Sequence, residues 1–433
     1  MSDLDGNLLD DDAVRQAAGE DFGQTVRRLP LAVLKPGSAR DLQKLIQFAN
    51  RYDLKVAVRG SGCALFGNTQ IQDGVVVDTS PLNSIQFRES AGRRVVEIGA
   101  GARWAQIWDA TYAERQRPPV NVDQGALSLG GIVSTAGFGG ESWRDGFVVD
   151  HVLELQVVTG QGELLACSEA RHAELFHAAL GGMGQCCVIT QVVTTLVPAP
   201  THVLFFVLTY PDLQSAVTDL AMLVGDGRFS HLDGRTAAKP AGGFSYQLEA
   251  GAFLDSPTPP AEEWLLAKLN FSSRTVRLMT YPEYYRRVSY PPRQPHPWLY
   301  LCLPASRFVE FANSVYASPK EVAFSAPRFS LWRRSGFRRP LARLPDEQQV
   351  ARFQLSRNLP PTADIAEAVA MNRTLYDRAR SVGGTRLTTS ALQFTAADWQ
   401  RHYGSAWDPF LAATKRFNPK GVLTSEQPIF GAG

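Results

Sequence analysis

The sequence predicts a protein of two parts that mixes helices with strands, and three observations predict it. A chain of 433 residues is too long for one ordinary hydrophobic core. Its first 200 residues read as short apolar strands separated by helices and glycine-rich loops. Residues 201–400 read as longer alternating strands with more proline and many arginines. Pro198-Ala-Pro200 marks the change and is the candidate boundary. The last stretch, Trp399–Phe430, returns to aromatic, turn-rich sequence and ends in an apolar Ile429-Phe430, so the tail is expected to dock.

The elements of the first part follow in order. Residues 38–52 form a helix by pattern, with Leu42, Leu45, Ile46 and Ala49 on one face. Ser38 is its cap, and Asp41, three residues later, the expected box partner. A short strand, Lys55–Arg59, leads into the loop Gly60-Ser-Gly-Cys-Ala-Leu-Phe-Gly67, and an apolar strand returns at Val75–Val77. A third strand at Val95–Ile98 passes through Gly99-Ala-Gly101 into a helix carrying Trp104, Ile107 and Trp108. Residues 125–140 are dense in glycine and small hydroxyls, a poor composition for a core strand or helix. Val152–Val158 and Leu164–Leu165 flank Thr159-Gly-Gln-Gly162, which reads as a hairpin turn.

Composition excludes several function classes. An apolar fraction of 44% and a charged fraction of 20% are those of a globular protein. A net charge of +2 gives no polyelectrolyte argument for nucleic acid. No apolar run is long enough to span a membrane. The acidic start lacks the basic and apolar regions of a signal peptide. Five cysteines, odd in number and sparse, point to a reducing compartment and a cytoplasmic protein. The seven histidines show no metal-ligand spacing, so no metal is expected.

Two loops carry the chemical signal. Gly60–Gly67 has Gly-x-Gly, but Leu65 stands where a dinucleotide fingerprint needs a third glycine, and a strand follows rather than a helix. No Gly-Lys-Ser/Thr follows, so it is not a P-loop either. It reads as a plain tight loop or as a nest of backbone N–H groups for an anion. The second loop, Asp123–Gly140, interleaves glycines with apolar residues and suits close packing against a flat ligand.

Here the sequence becomes specific. Gly130-Gly-Ile-Val-Ser-Thr-Ala-Gly137, Trp143-Arg-Asp-Gly146, Val158-Thr-Gly-x-Gly-Glu163, Leu180-Gly-Gly-Met-Gly-Gln185 and Val188-Ile-Thr190 resemble the cytokinin dehydrogenases, which belong to the vanillyl-alcohol-oxidase group of FAD enzymes. Asp21-Phe-Gly23, Arg59-Gly60, His296-Pro-Trp-Leu299, Trp399-x-x-His402 and Gln427-x-Ile-Phe430 continue the match. The resemblance is dense over 30–200 and patchy over 201–395. It implies an α+β fold. An FAD-binding domain would comprise residues 1–200, with 405–433 returning to it, and a substrate-binding domain, 201–404, would carry an antiparallel sheet covered by helices. It also implies FAD as cofactor. Arg59, Gly60, Ser61, Gly62, Cys63, Ala64 and Asn68 fall on or beside the pyrophosphate loop. Asp123, Ser128, Ser134, Phe138 and Ile189 fall around the flavin ring and ribityl chain, and Thr424 and Gln427 on the C-terminal contacts to the ring.

The chain departs from the family at two places. Cys63 stands where the family usually has a histidine bonded to the flavin. Either a cysteinyl thioether replaces that bond, Arg59 favouring the thiolate, or FAD is held without one. In place of the family's tryptophan- and proline-rich segment stands Pro327–Arg343, with six arginines and no acid. It reads as a solvated basic loop or as a guanidinium clamp for an anionic substrate. Asp123, by contrast, keeps the family's seven-residue spacing to Gly130-Gly131 and is the expected catalytic base. Cys186-Cys187 is expected in a buried strand, as packing rather than as a redox pair.

The function expected is FAD-dependent hydride transfer from a small organic substrate, foremost C–N oxidation as in cytokinin dehydrogenase. The alternatives are oxidation of an alcohol or C–C bond, and a flavin-binding protein without turnover. The electron acceptor would be oxygen or a quinone.

Overall fold

The computed structural model describes residues 3–90, 92–240, 242–288, 293–427 and 429–430. Three sheets organise them. The first has four strands in the order Asn7–Leu9, Ala32–Lys35, Val75–Asp78, Val56–Arg59; its last three strands are parallel. The β-branched run Val75-Val76-Val77 is central and fully enclosed, as a strand covered on both faces must be. The second sheet is antiparallel, with five strands in the order Ile85–Ser90, Arg93–Gly99, Cys187–Thr195, Val152–Thr159, Leu164–Ser168. The 159–162 hairpin turn is present, with the Gly162 N–H donating to Thr159 O at 2.9 Å.

The helix expected at 38–52 spans Ala39–Tyr52, and Ser38 Oγ accepts from Arg40 N–H. Asp41 does not form the capping box. It is fully buried and accepts the backbone N–H groups of Asp5, Gly6 and Gly37 at 2.8–2.9 Å, so the loops beside the first two strands rather than the helix claim it. The glycine-dense 125–140 segment also differs from expectation: Leu129–Thr135 is a short helix. Gly130 suits the helix because it presses closely on a neighbouring segment; a Cβ there would stand 3.0 Å from Ala100 Cβ.

Residues 202–386 supply one eight-stranded antiparallel sheet, in the order Ser273–Thr280, His202–Tyr210, Phe244–Leu254, His231–Ala238, Ser325–Arg333, Gln349–Arg357, Leu299–Pro304, Thr385–Arg386. Helices Leu213–Asp226, Ala305–Tyr316 and Ile365–Ser381 pack against it. One continuous hydrophobic core runs from Leu65 to Ile429 and joins this sheet to the five-stranded one.

The C-terminus comes back to the first sheet. Val56 N–H donates to Val422 O at 2.8 Å, and Thr424 N–H to Val56 O at 3.0 Å. Ile429 is fully buried, and Phe430 lies against Trp407 and Phe410, so the apolar tail docks. Cys167, Cys186, Cys187 and Cys302 are buried thiols; Cys186 Sγ is 3.2 Å from Thr414 Oγ1. Burial pushes the Cys167 and Cys186 thiols up to about 12, which makes both inert. No helix among the described residues is long and apolar enough to cross a membrane.

Candidate active site

A cavity of about 790 Å³ opens between the two glycine-rich loops and the eight-stranded sheet. That volume is in the usual range for small-molecule and cofactor sites. Gly60, Ser61, Gly62, Cys63, Ala64 and Asn68 line it, and so do Asp123, Ser128, Ser134, Phe138, Ile189 and Thr424. Arg59 and Gln427 lie outside the lining.

The first loop is held from behind. Phe22 N–H donates to Gly62 O at 2.8 Å and Gly23 N–H to Ala64 O at 2.9 Å. Asp21 accepts from Gly67 N–H at 2.8 Å, and Arg59 donates to the carbonyls of Ala18 and Glu20. Burial, only partly offset by these donors, raises Asp21 to about 6. The carbonyls of the loop are thus turned outward to residues 22–23, while the N–H groups of Gly62 and Ala64 have no acceptor among the described residues. Gly62 has φ +72°, which lets the chain turn there. Gly60 is glycine for a different reason: a Cβ there would come within 1.8 Å of Ser128 Oγ. The two loops are cross-linked at this point, since Ser61 and Ser128 exchange hydrogen bonds through backbone N–H and side-chain oxygen.

Asp123 precedes the short helix, about a quarter exposed, with Oδ1 3.4 Å from Arg287 Nη2. Arg287 lies over the ring of Tyr284, 4.3 Å from its centroid, and donates to Tyr284 O at 3.0 Å. The same Nη2 is 3.4 Å from His231 Nε2. A guanidinium only donates, so Nε2 is the acceptor, and the His231 proton sits on Nδ1 facing Tyr284 Oη at 2.8 Å. Burial, and then Arg287, push His231 down to about 3. It is therefore a neutral support for Arg287 rather than an acid or base.

Glu141 is completely buried; Oε2 accepts from Asn121 N–H at 3.1 Å, two residues before Asp123, and Oε1 has no hydrogen-bond partner. Burial raises its carboxyl to about 7, with Arg117 opposing.

The opposite wall is polar. Arg328 clamps Asp233 with Nε and Nη2 at 3.1 and 2.6 Å, and Nη2 also reaches Glu249 at 3.3 Å. Arg352 donates to Asp233, Ser330 and Gln354, and its guanidinium stands 5.2 Å from the centroid of Phe138. These two guanidiniums overcome the burial of Asp233 and hold its carboxyl far below the usual range. Pro327–Arg343 is therefore not a solvated loop: it begins inside the strand Ser325–Arg333, and Arg339 is buried, donating to the carbonyls of Val149 and Val152. Of its six arginines only Arg328 lines the cavity.

Asp233, Ser330, Arg352, Gln354, Glu141 and Arg287 were missed from sequence. A signal existed for the strand residues: Arg328-x-Ser330 and Arg352-x-Gln354-x-Ser356 alternate polar with apolar side chains in buried strands, the pattern of a sheet facing a ligand. His402, in a matched motif, is buried and packs against Phe394 and Trp399; burial lowers it to about 3, and it belongs to the core. Among the described residues no group of His, Cys, Asp and Glu could hold a metal ion.

Comparison with known proteins identifies the family and the fold. The family profile of an FAD binding domain matches residues 30–168, and that of "Cytokinin dehydrogenase 1, FAD and cytokinin binding" matches residues 276–430. An uncharacterized oxidoreductase of the fasciation locus of Rhodococcoides fascians is 30% identical over 95% of this chain and 96% of its own. Cytokinin dehydrogenase 2 of Arabidopsis thaliana is 28% identical over 99% of this chain and 94% of its own. Among solved structures, 6-hydroxy-D-nicotine oxidase from Arthrobacter nicotinovorans superposes with a TM-score of 0.76 at 20% identity, covering 99% of this chain and 98% of that one. A VAO-type flavoprotein from Myceliophthora thermophila gives 0.78 at 17% identity, over 94% and 80%. These two structures show the fold.

Proposed function

Because this chain belongs to the cytokinin dehydrogenase-like FAD-linked oxidoreductases of the vanillyl-alcohol-oxidase group, we propose that it oxidises a C–N bond of a small amine, with Asp123 as the base. The observation that carries the reading is the place of Asp123: a carboxylate lining the cavity, in the segment that leads into the helix Leu129–Thr135, with Arg287 3.4 Å from one oxygen.

The residues present fit FAD. The acceptorless N–H groups of Gly62 and Ala64 suit a pyrophosphate, as does Thr69 Oγ1, a buried hydroxyl on the lining with no partner. The cradle at Gly60 admits no Cβ. In this reading Gly60, Ser61, Gly62, Ala64 and Asn68 hold the pyrophosphate; Ser128, Ser134, Phe138 and Ile189 hold the ring and ribityl chain; and Thr424 closes over the ring. Arg59 acts from behind the loop, and Gln427 has no place in the cavity wall. Residues 1–200 and 405–433 form the cofactor domain, and 201–404 the substrate domain.

Bound FAD supplies the acceptor for a hydride from the carbon next to nitrogen. Asp123 takes the nitrogen's proton as the C=N bond forms, and water then splits the imine. The cluster around Asp233 favours a substrate with an anionic group, and oxygen or a quinone takes the electrons onward. The buried thiols suit a cytoplasmic protein. The test is a substrate screen scored by anaerobic bleaching of the yellow protein. Bleaching by an amine and not by the matching alcohol is expected. Bleaching by the alcohol would move the chemistry to C–O oxidation, and bleaching by nothing would leave a flavin carrier.

A further inference from the structure

We infer that the substrate carries an oxyanion, a carboxylate or phosphate, and that Arg328 binds it. This rests on the assignment of the cavity as an FAD and substrate site. Among the described residues, the charged side chains lining the cavity are Asp123, Asp233, Arg235, Arg328 and Arg352. Asp123 is met by Arg287. Asp233 is shared by Arg328 and Arg352, and Glu249, just behind the wall, is shared by Arg328 at 3.3 Å and Arg235 at 3.2 Å. Three guanidiniums thus face two carboxylates, and the wall holds one positive charge that the protein does not match. A charge in a water-poor pocket calls for a partner.

The three arginines are not equivalent. Arg352 is 3% exposed, and Nε, Nη1 and Nη2 all donate within the protein. Arg235 is 41% exposed and can be served by water. Arg328 is 26% exposed, its Nε and Nη2 are fixed on carboxylates, and its Nη1 makes no hydrogen bond to the described residues. Its orientation is therefore set before a ligand arrives, so little entropy is lost on binding. Arg328 and Asp123 line the same cavity, so an anion held by Arg328 shares that cavity with the reacting nitrogen. The substrate class is then an amine that also carries an acidic group, of which N-substituted amino acids are the simplest.

The test uses the yellow holoenzyme with benzoate, phenylphosphonate and the neutral benzamide, each read by perturbation of the flavin spectrum. One or both anions should bind at least about tenfold more tightly than benzamide, the order expected for a charge-assisted bond. The tighter of the two identifies the oxyanion. Arg328→Met should remove the preference while FAD content is kept. If that variant fails to fold, Arg328→Met with Glu249→Gln removes a positive and a negative charge together. The inference is overturned if benzamide binds as well as the anions, if neither anion perturbs the spectrum, or if the preference survives loss of Arg328. An Asp123→Asn variant that still bleaches normally would instead overturn the base assignment and leave this result standing.

Discussion

Ser61 and Ser128 are joined by two reciprocal hydrogen bonds: Ser128 N–H donates to Ser61 Oγ at 3.1 Å, and Ser61 N–H to Ser128 Oγ at 3.3 Å. The pair ties loops that are 67 residues apart in sequence and fixes the width of the cleft between them. Gly60 lies against it, with no room for a Cβ beside Ser128 Oγ. Gly60→Val is therefore expected to part the loops and yield protein without flavin, measured as visible absorbance per mole of protein. A fully yellow variant would show that the cleft does not hold the cofactor.

In the proposed site Cys63 stands where the resemblance expects a histidine bonded to the flavin. Its Sγ is 3.4 Å from Ser61 Oγ and it lines the cavity. Acid precipitation is expected to release the flavin. If flavin stays with the protein, mass spectrometry should find it on Cys63; a flavinylated histidine would refute the assignment of this loop.

Asp233 balances two guanidiniums, so Asp233→Ala leaves both facing one another across a buried cavity wall. Loss of one partner of such a network costs about 3–5 kcal/mol. Chemical denaturation should show a loss of that order, larger than for any exposed pair such as Arg94–Glu114.

Glu141 predicts a pH dependence. Its carboxyl titrates near 7 in the folded protein against 4.5 unfolded, because burial disfavours the charge. The folded state therefore binds the proton more tightly. The stability this gives is full below about pH 4.5, is lost as pH rises towards 7, and is absent above it. The difference is on the order of 3 kcal/mol. Glu141→Gln keeps an acceptor for Asn121 N–H and removes the titration. Across that window the variant should lose less stability than the parent, with Asp21 accounting for part of what remains. Parallel curves would show that Glu141 stays charged.

The first part of the chain was legible because its signals are local. The strand Val75–Asp78, the helix capped by Ser38 and the 159–162 turn each follow from neighbours in sequence. Asp41 differs from expectation because its partners, Asp5 and Gly6, come from the bend before the first strand, 36 and 35 residues away. The glycine-rich loop hid a helix because tertiary packing against Ala100 outweighs the poor propensity of Gly130. The substrate wall was the least legible part. Asp233, Arg328 and Arg352 lie on three neighbouring strands of one sheet, and only the strand order brings them together. Arg328 belongs to a basic run in the sequence, but its buried carboxylate partners, Asp233 and Glu249, lie 95 and 79 residues away.

The central claim is that Asp123 takes a proton from the substrate during flavin reduction. Asp123→Asn keeps the shape, and an acceptor for Arg287, but cannot hold that proton. The measurement is the anaerobic rate of flavin reduction by the best amine of the screen, parent against variant, at equal FAD content. A fall of about 10²–10⁴-fold is predicted, the usual worth of general-base assistance. Reduction at the parental rate would contradict the account and leave Asp123 as a partner of Arg287 only.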